Sequence, residues 1–111
     1  MKFVNLTPHE VKILKGNEVV LSIPPTEPAA RATQKYEDRA EVNGIPVWAP
    51  TYGEVVNLPP AEEGTFYIVS MIVAQAERGR RDLLVPDSGR AIRDSAGNII
   101  GVPGFLTFSR K

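Results

Sequence analysis

The chain has 111 residues, 42% of them hydrophobic and 23% charged, which suits a single domain over residues 1–111 with a core of its own. Lys plus Arg and Asp plus Glu number 13 each, so no overall field draws the molecule to long nucleic acid or to an anionic membrane. Cysteine is absent, which excludes disulfides, thiolate metal sites and cysteine nucleophiles and fits a reducing compartment.

The opening MKFVNLTPHE has no apolar signal core, and no apolar run approaches the roughly 20 residues of a membrane span. A cytoplasmic protein with no membrane partner is the expectation. Ten prolines and nine glycines argue for short strands and turns over a helical bundle.

In chain order, Phe3 and Val4 open a short strand, and Asn5-Leu6-Thr7-Pro8-His9 follows as a turn. Asn5 and Thr7 can bond nearby backbone there, and Pro8 fixes its own φ. Val11–Leu14 and Val19–Ile23 flank Gly16-Asn17 as a hairpin. Pro24 to Pro28 is an extended connector. Ala29–Val42 alternates with a period of two and reads as a half-exposed strand, with a helix as the competing reading because Ala, Arg, Gln and Glu favour helices.

Asn43-Gly44 is the strongest hairpin signal and joins that strand to Ile45–Trp48, which Pro46 confines to an edge or a bulge. Pro50-Thr51-Tyr52-Gly53 reads as a turn, Glu54–Leu58 as a short strand, and residues 59–64 as a surface loop. Thr65–Gln75 is the most apolar run. Phe66–Val69 favours a strand buried on both faces, and Ser70 caps a short helix at about residues 70–78. Leu83-Leu84-Val85 is a buried strand stopped by Pro86. Ala91–Arg93 and Asn98–Val102 form a further hairpin, and Phe105–Phe108 a terminal strand. The sum is a strand-rich α+β domain of about eight to ten strands with one short helix, arranged as a twisted antiparallel sheet or a partly closed barrel.

His9, the single histidine, reads as a tie for the N-terminal turn, a ligand contact, or a base. It cannot build a zinc site without cysteines, and no metal or cofactor motif is present. Arg78, Arg80, Arg81, Arg90 and Arg93 crowd one window. Their planar forks can grip phosphate, but Asp82, Asp87 and Asp94 lie among them and local ion pairs are the plainer reading. Trp48 and Tyr52 flank a turn-like stretch and could stack on a base. Ser70 lacks the flanking glycines of a nucleophile elbow, so it reads as a helix cap.

Asn-Leu-Thr-Pro-His-Glu-Val at 5–11, Tyr-Ile-Val-Ser at 67–70, Asp-Leu-Leu-Val-Pro-Asp at 82–87 and Arg-Asp-x-x-Gly-x-Ile-Ile-Gly at 93–101 resemble a family of small proteins of phages, prophages and Gram-positive genomes. The resemblance spans nearly the whole chain and implies no catalytic residues. Its context suggests an anti-defence role, the sequestration of a cyclic nucleotide immune signal in the host cytoplasm. Three readings follow. The first is a non-catalytic, homo-oligomeric module holding a small anionic nucleotide-like ligand through Thr7, His9, Arg31, Trp48, Tyr52, Arg80 and Arg81. The second is a structural or interaction protein whose edge strands pair with other chains. The third is a small hydrolase using His9 and an aspartate.

Overall fold

The computed structural model describes residues 1–109. These form ten strands, one α-helix and one 3-10 turn: β1 (Lys2–Asn5), β2 (Val11–Lys15), β3 (Glu18–Ile23), β4 (Arg31–Val42), β5 (Ile45–Val56), β6 (Thr65–Ile68), α1 (Met71–Ala76), β7 (Leu83–Pro86), a 3-10 turn at Ser88–Arg90, β8 (Ile92–Arg93), β9 (Ile99–Gly101) and β10 (Phe105–Leu106). The described residues thus adopt a strand-rich α+β architecture with one short helix, and none of the sheets among them closes into a barrel.

The central sheet has the order β1-β6-β7-β10. Its pairs β1–β6 and β6–β7 are parallel, whereas β7–β10 is antiparallel. Parallel strands are buried on both faces, which explains the unbroken apolar run at 66–69. Ile68 and Val69 are fully buried. On one side Tyr67, Val69, Leu83 and Val85 meet Val73 and Ala74 of α1, together with Leu6 and Ala30. On another part of the sheet Phe3 lies between Phe66, at 6.4 Å, and Phe105, at 5.8 Å.

α1 links β6 to the parallel β7, as a crossover between parallel strands must. Ser70 caps it by accepting a hydrogen bond from Val73 N at 3.4 Å, and the helix stops at Ala76. The hairpin β2–β3 turns at Gly16-Asn17 as the sequence suggests. β2 also joins β9: Leu14 N donates to Val102 O and Val102 N to Lys12 O, each at 2.9 Å. Gly101 makes this junction possible. A Cβ there would lie 2.7 Å from Lys12 O and would collide with the Leu14 side chain.

The alternating segment is a strand, as preferred over the helix, but it runs much further than a core strand needs. β4 and β5 pair antiparallel over twelve residues each. Asn43 and Gly44 take φ of 51° and 78°, the left-handed pair a tight two-residue turn requires. The expected turn at Pro50–Gly53 is instead the middle of β5. Pro50 is paired with Tyr36 at a position where the β5 backbone faces away from β4, so its missing N–H breaks no ladder bond. The arm extends the molecule to 48 × 39 × 27 Å with a radius of gyration of 16.3 Å, against about 13 Å for a compact domain of this length. Pro86 ends β7 inside the strand, and the terminal strand spans only Phe105–Leu106.

Candidate functional site

β1, β6 and β7 all point the same way, so their carboxyl ends lie along one edge of the sheet. The segments that leave that edge are Thr7-Pro8-His9 after β1, Val69-Ser70-Met71 after β6, and Ser88 after β7. Together with β2 and the Ile99–Val102 stretch they enclose a cavity of about 730 Å³. Its walls are mainly aliphatic, from Val11, Val69, Met71, Val85, Ile100 and Val102, with a few polar groups at Thr7, His9, Lys12 and Ser70. That size and that sparse polarity are typical of small-molecule sites.

Asn5 holds the rim. Its side chain is completely buried at the end of β1. Nδ2 donates to His9 O at 2.8 Å and to Ile23 O at 3.0 Å. Oδ1 accepts from Thr7 N at 3.0 Å and from Thr7 Oγ1 at 2.6 Å. All four bonding positions of one amide are filled, and they fix the Thr7–His9 loop against the end of β3. Pro8 then lines the main cavity and two neighbours of about 290 and 500 Å³, so three hollows meet at one residue. Arg31 lines both of the smaller ones.

Three of the seven expected binding residues are thus brought together: Thr7 and His9 on one side of Pro8, Arg31 on the other. The remaining four are not brought to this site within one chain. Arg80 and Arg81 precede β7 and so stand at the amino edge of the sheet, opposite the cavity. Arg80 is engaged there. Its Nε and Nη2 donate to Asp82 at 2.9 and 2.7 Å, its Nη1 donates to Pro59 O at 2.9 Å, and its guanidinium lies 5.8 Å from the Tyr67 ring centre. The Arg80 fork holds the Asp82 carboxyl below the usual carboxylate range, and Asp82 in turn raises Arg80. Arg81 lines a small separate hollow with Met1, Glu62 and Phe66.

The plainer reading of the arginine window is the one realised at Arg80 and also at Arg90, which meets the buried Asp87 at 2.6 Å. Arg93 donates to Gly97 O at 2.8 Å. Tyr52 ties the arm to the helix, its hydroxyl donating to Gln75 Oε1 at 2.6 Å. Trp48 stands far out on the arm, 55% exposed, 6.5 Å from Tyr36.

The sequence reading missed Ser70, Met71 and Ile99–Val102 as cavity wall. One signal was available. A doubly buried strand implies parallel neighbours, and ligand sites in such sheets gather at the carboxyl ends of the strands. Lys12 is partly neutralised by Glu10 at 3.7 Å, so the main cavity itself carries little net charge. Among the described residues, no imidazole is hydrogen-bonded to a hydroxyl nucleophile, and no group of three or more His, Cys, Asp or Glu is placed to hold a metal ion. No described helix is long and apolar enough to cross a membrane. No protein-family model matches the chain, and no curated protein and no solved structure matches it significantly.

Proposed function

We propose that the protein is a non-catalytic binding module that holds a small nucleotide-like ligand at the carboxyl edge of its parallel strands and acts as a homo-oligomer. The observation that carries this reading is the 730 Å³ aliphatic cavity formed by the segments leaving β1, β6 and β7, with Arg31 across Pro8 from it. A planar base suits the aliphatic walls. An anionic group suits the Arg31 guanidinium, which makes no ion pair among the described residues although Glu27 lines the same hollow. Thr7 borders both parts, and His9 borders the main cavity. Binding rather than turnover is assigned because the polar groups at the cavity are engaged structurally, Thr7 Oγ1 with Asn5 Oδ1, Ser70 Oγ with Val73 N and Lys12 with Glu10. In its specific form the reading is capture of a cyclic oligonucleotide immune signal by a phage-encoded protein.

Isothermal calorimetry against cyclic di- and trinucleotides and ADP-ribose derivatives tests it. At least one is expected to bind, and Arg31→Ala is expected to weaken that binding by roughly tenfold or more, the scale of a hydrogen bond to a charged group. Failure of the whole panel to bind would sink the reading. The second reading, a structural or interaction protein, is favoured by the long arm with its free β4 edge. Co-purification with assembled particles distinguishes it.

A further inference from the structure

The β4–β5 arm is a two-stranded ribbon with nothing on either face over its outer half. Tyr36 is 67% exposed, Trp48 55%, Val42 56% and Ile45 65%. A lone two-stranded ribbon is marginal in water and needs a further strand or surface to rest on.

The two edges of the ribbon differ. The Val42–Ile45 pair closes the tight turn and is hydrogen-bonded, so Glu41–Pro46 is the next, non-bonded pair, and Tyr36–Pro50 is non-bonded because proline has no N–H. The outward backbone positions of β5 therefore include Pro46 and Pro50, which offer no donor. That edge is blunted. On β4 the register is unbroken from Gln34 to Asp38, and the outward N–H and C=O groups belong to Gln34, Tyr36 and Asp38. Thr51 Oγ1 donates to Lys35 O at 3.4 Å, which places the Lys35 carbonyl on the β5 side as this alternation demands. Consequently one free edge can accept a strand, and it lies between the two register shifts of the hairpin.

We propose that this edge of β4 pairs antiparallel with the same edge of a second copy of this chain, about a two-fold axis at Tyr36. The residue pattern is self-complementary in that register. Tyr36 faces Tyr36, Gln34 faces Asp38 of the second copy, and Lys35 faces Glu37 of the second copy twice over. Each Tyr36 already leans on a Trp48 of its own chain, so the join brings four aromatic rings onto one face. The Lys35-Tyr36-Glu37 core is complementary in charge to its own reverse, which singles out a second copy as the occupant. The paired span is short and buries less than the roughly 800 Å² per partner of a standard interface, so the dimer is concentration-dependent. This inference deepens the oligomeric part of the proposed function and rests on it; the ligand cavity lies elsewhere on the chain.

The test is sedimentation equilibrium of the full chain and of two variants with exposed charges reversed. Lys35→Glu and Glu37→Lys are each expected to weaken dimerisation by roughly tenfold, the scale of two exposed attractive pairs made repulsive. Mixed in equal amounts, the two variants regain wild-type association, because both cross-pairs are then opposite in sign. Trp48, the single tryptophan, adds a second readout, an emission that shifts to the blue as concentration rises. A wild-type chain that stays monomeric at millimolar concentration overturns the proposal. So does a dimer indifferent to both reversals, or a mixture no tighter than its components. Calorimetry with the ligand panel on the wild-type chain separates the two questions, since a chain that binds ligand but stays monomeric refutes the arm pairing alone, and a dimer that binds none of the panel refutes the ligand site alone.

Discussion

Replacing Asn5 by alanine removes four hydrogen bonds at a position with no solvent access. A typical bond contributes about 0.5–1.5 kcal/mol net, and a buried group left without a partner costs about 1–3 kcal/mol. His9 is exposed, so its carbonyl recovers a bond to water, whereas Ile23 O is half-buried and recovers less. The sum is about 3 kcal/mol, a large share of the roughly 5–15 kcal/mol that holds a domain folded. Urea unfolding followed by far-ultraviolet circular dichroism is the assay. The midpoint should fall at unchanged slope, with a loss in Tm of about 10–20 °C. The Thr7–His9 rim should also loosen, seen as faster amide exchange at Thr7 before global unfolding. A loss below about 1 kcal/mol would refute the claim that one buried amide organises the cavity rim.

Asp82 titrates below the usual carboxylate range because of its bonds to Arg80, so the unfolded chain binds the proton more readily and the pair stabilises the fold above the unfolded value near pH 4. That contribution is lost as pH falls through the depressed folded value; Asp82→Asn should flatten the acid limb of a stability-against-pH curve, and an unchanged limb would contradict the assignment. Arg80→Ala leaves a mostly buried carboxylate without its cation and should cost about 2 kcal/mol by urea unfolding at neutral pH, with no change in ligand affinity by calorimetry. Gly101→Ala drives a methyl against Lys12 O and the Leu14 side chain and should cost about 1–3 kcal/mol, and it should narrow the cavity enough to weaken any ligand bound there.

The parts of the fold legible in the residues are those set by short-range chemistry. Asn43-Gly44 specifies its turn through φ alone, Ser70 caps α1 three residues ahead of its partner, and Phe66–Val69 declares a strand with no wet face. What escaped depends on neighbours distant in sequence. Nothing local says that β1 pairs with β6, which starts sixty residues later, or that this pairing is parallel. Pro50 breaks a strand only if its nitrogen faces the partner, and here it faces away, so a stretch that looks like a turn continues β5.

The site follows the same division. Thr7 and His9 belong to a turn whose Asn5 anchor is visible two residues away, and they do line the cavity. The competing use of Arg80 by Asp82 was legible from their spacing, but its third bond, to Pro59 O, needed the loop across β6. Arg31 reaches the site because Ala30 N bonds Leu6 O and draws the start of β4 to the end of β1, a contact that no spacing encodes.

The most direct measurement is an amide chemical-shift titration of the isotope-labelled protein with whichever cyclic oligonucleotide or ADP-ribose derivative binds in calorimetry. Shifts concentrated at Thr7–Lys12, Val69–Met71, Ser88 and Ile99–Val102, extending to Arg31, are the predicted result. Shifts confined to the amino edge around Arg80 and Arg81, or to the outer arm, would contradict a ligand site at the carboxyl ends of the parallel strands.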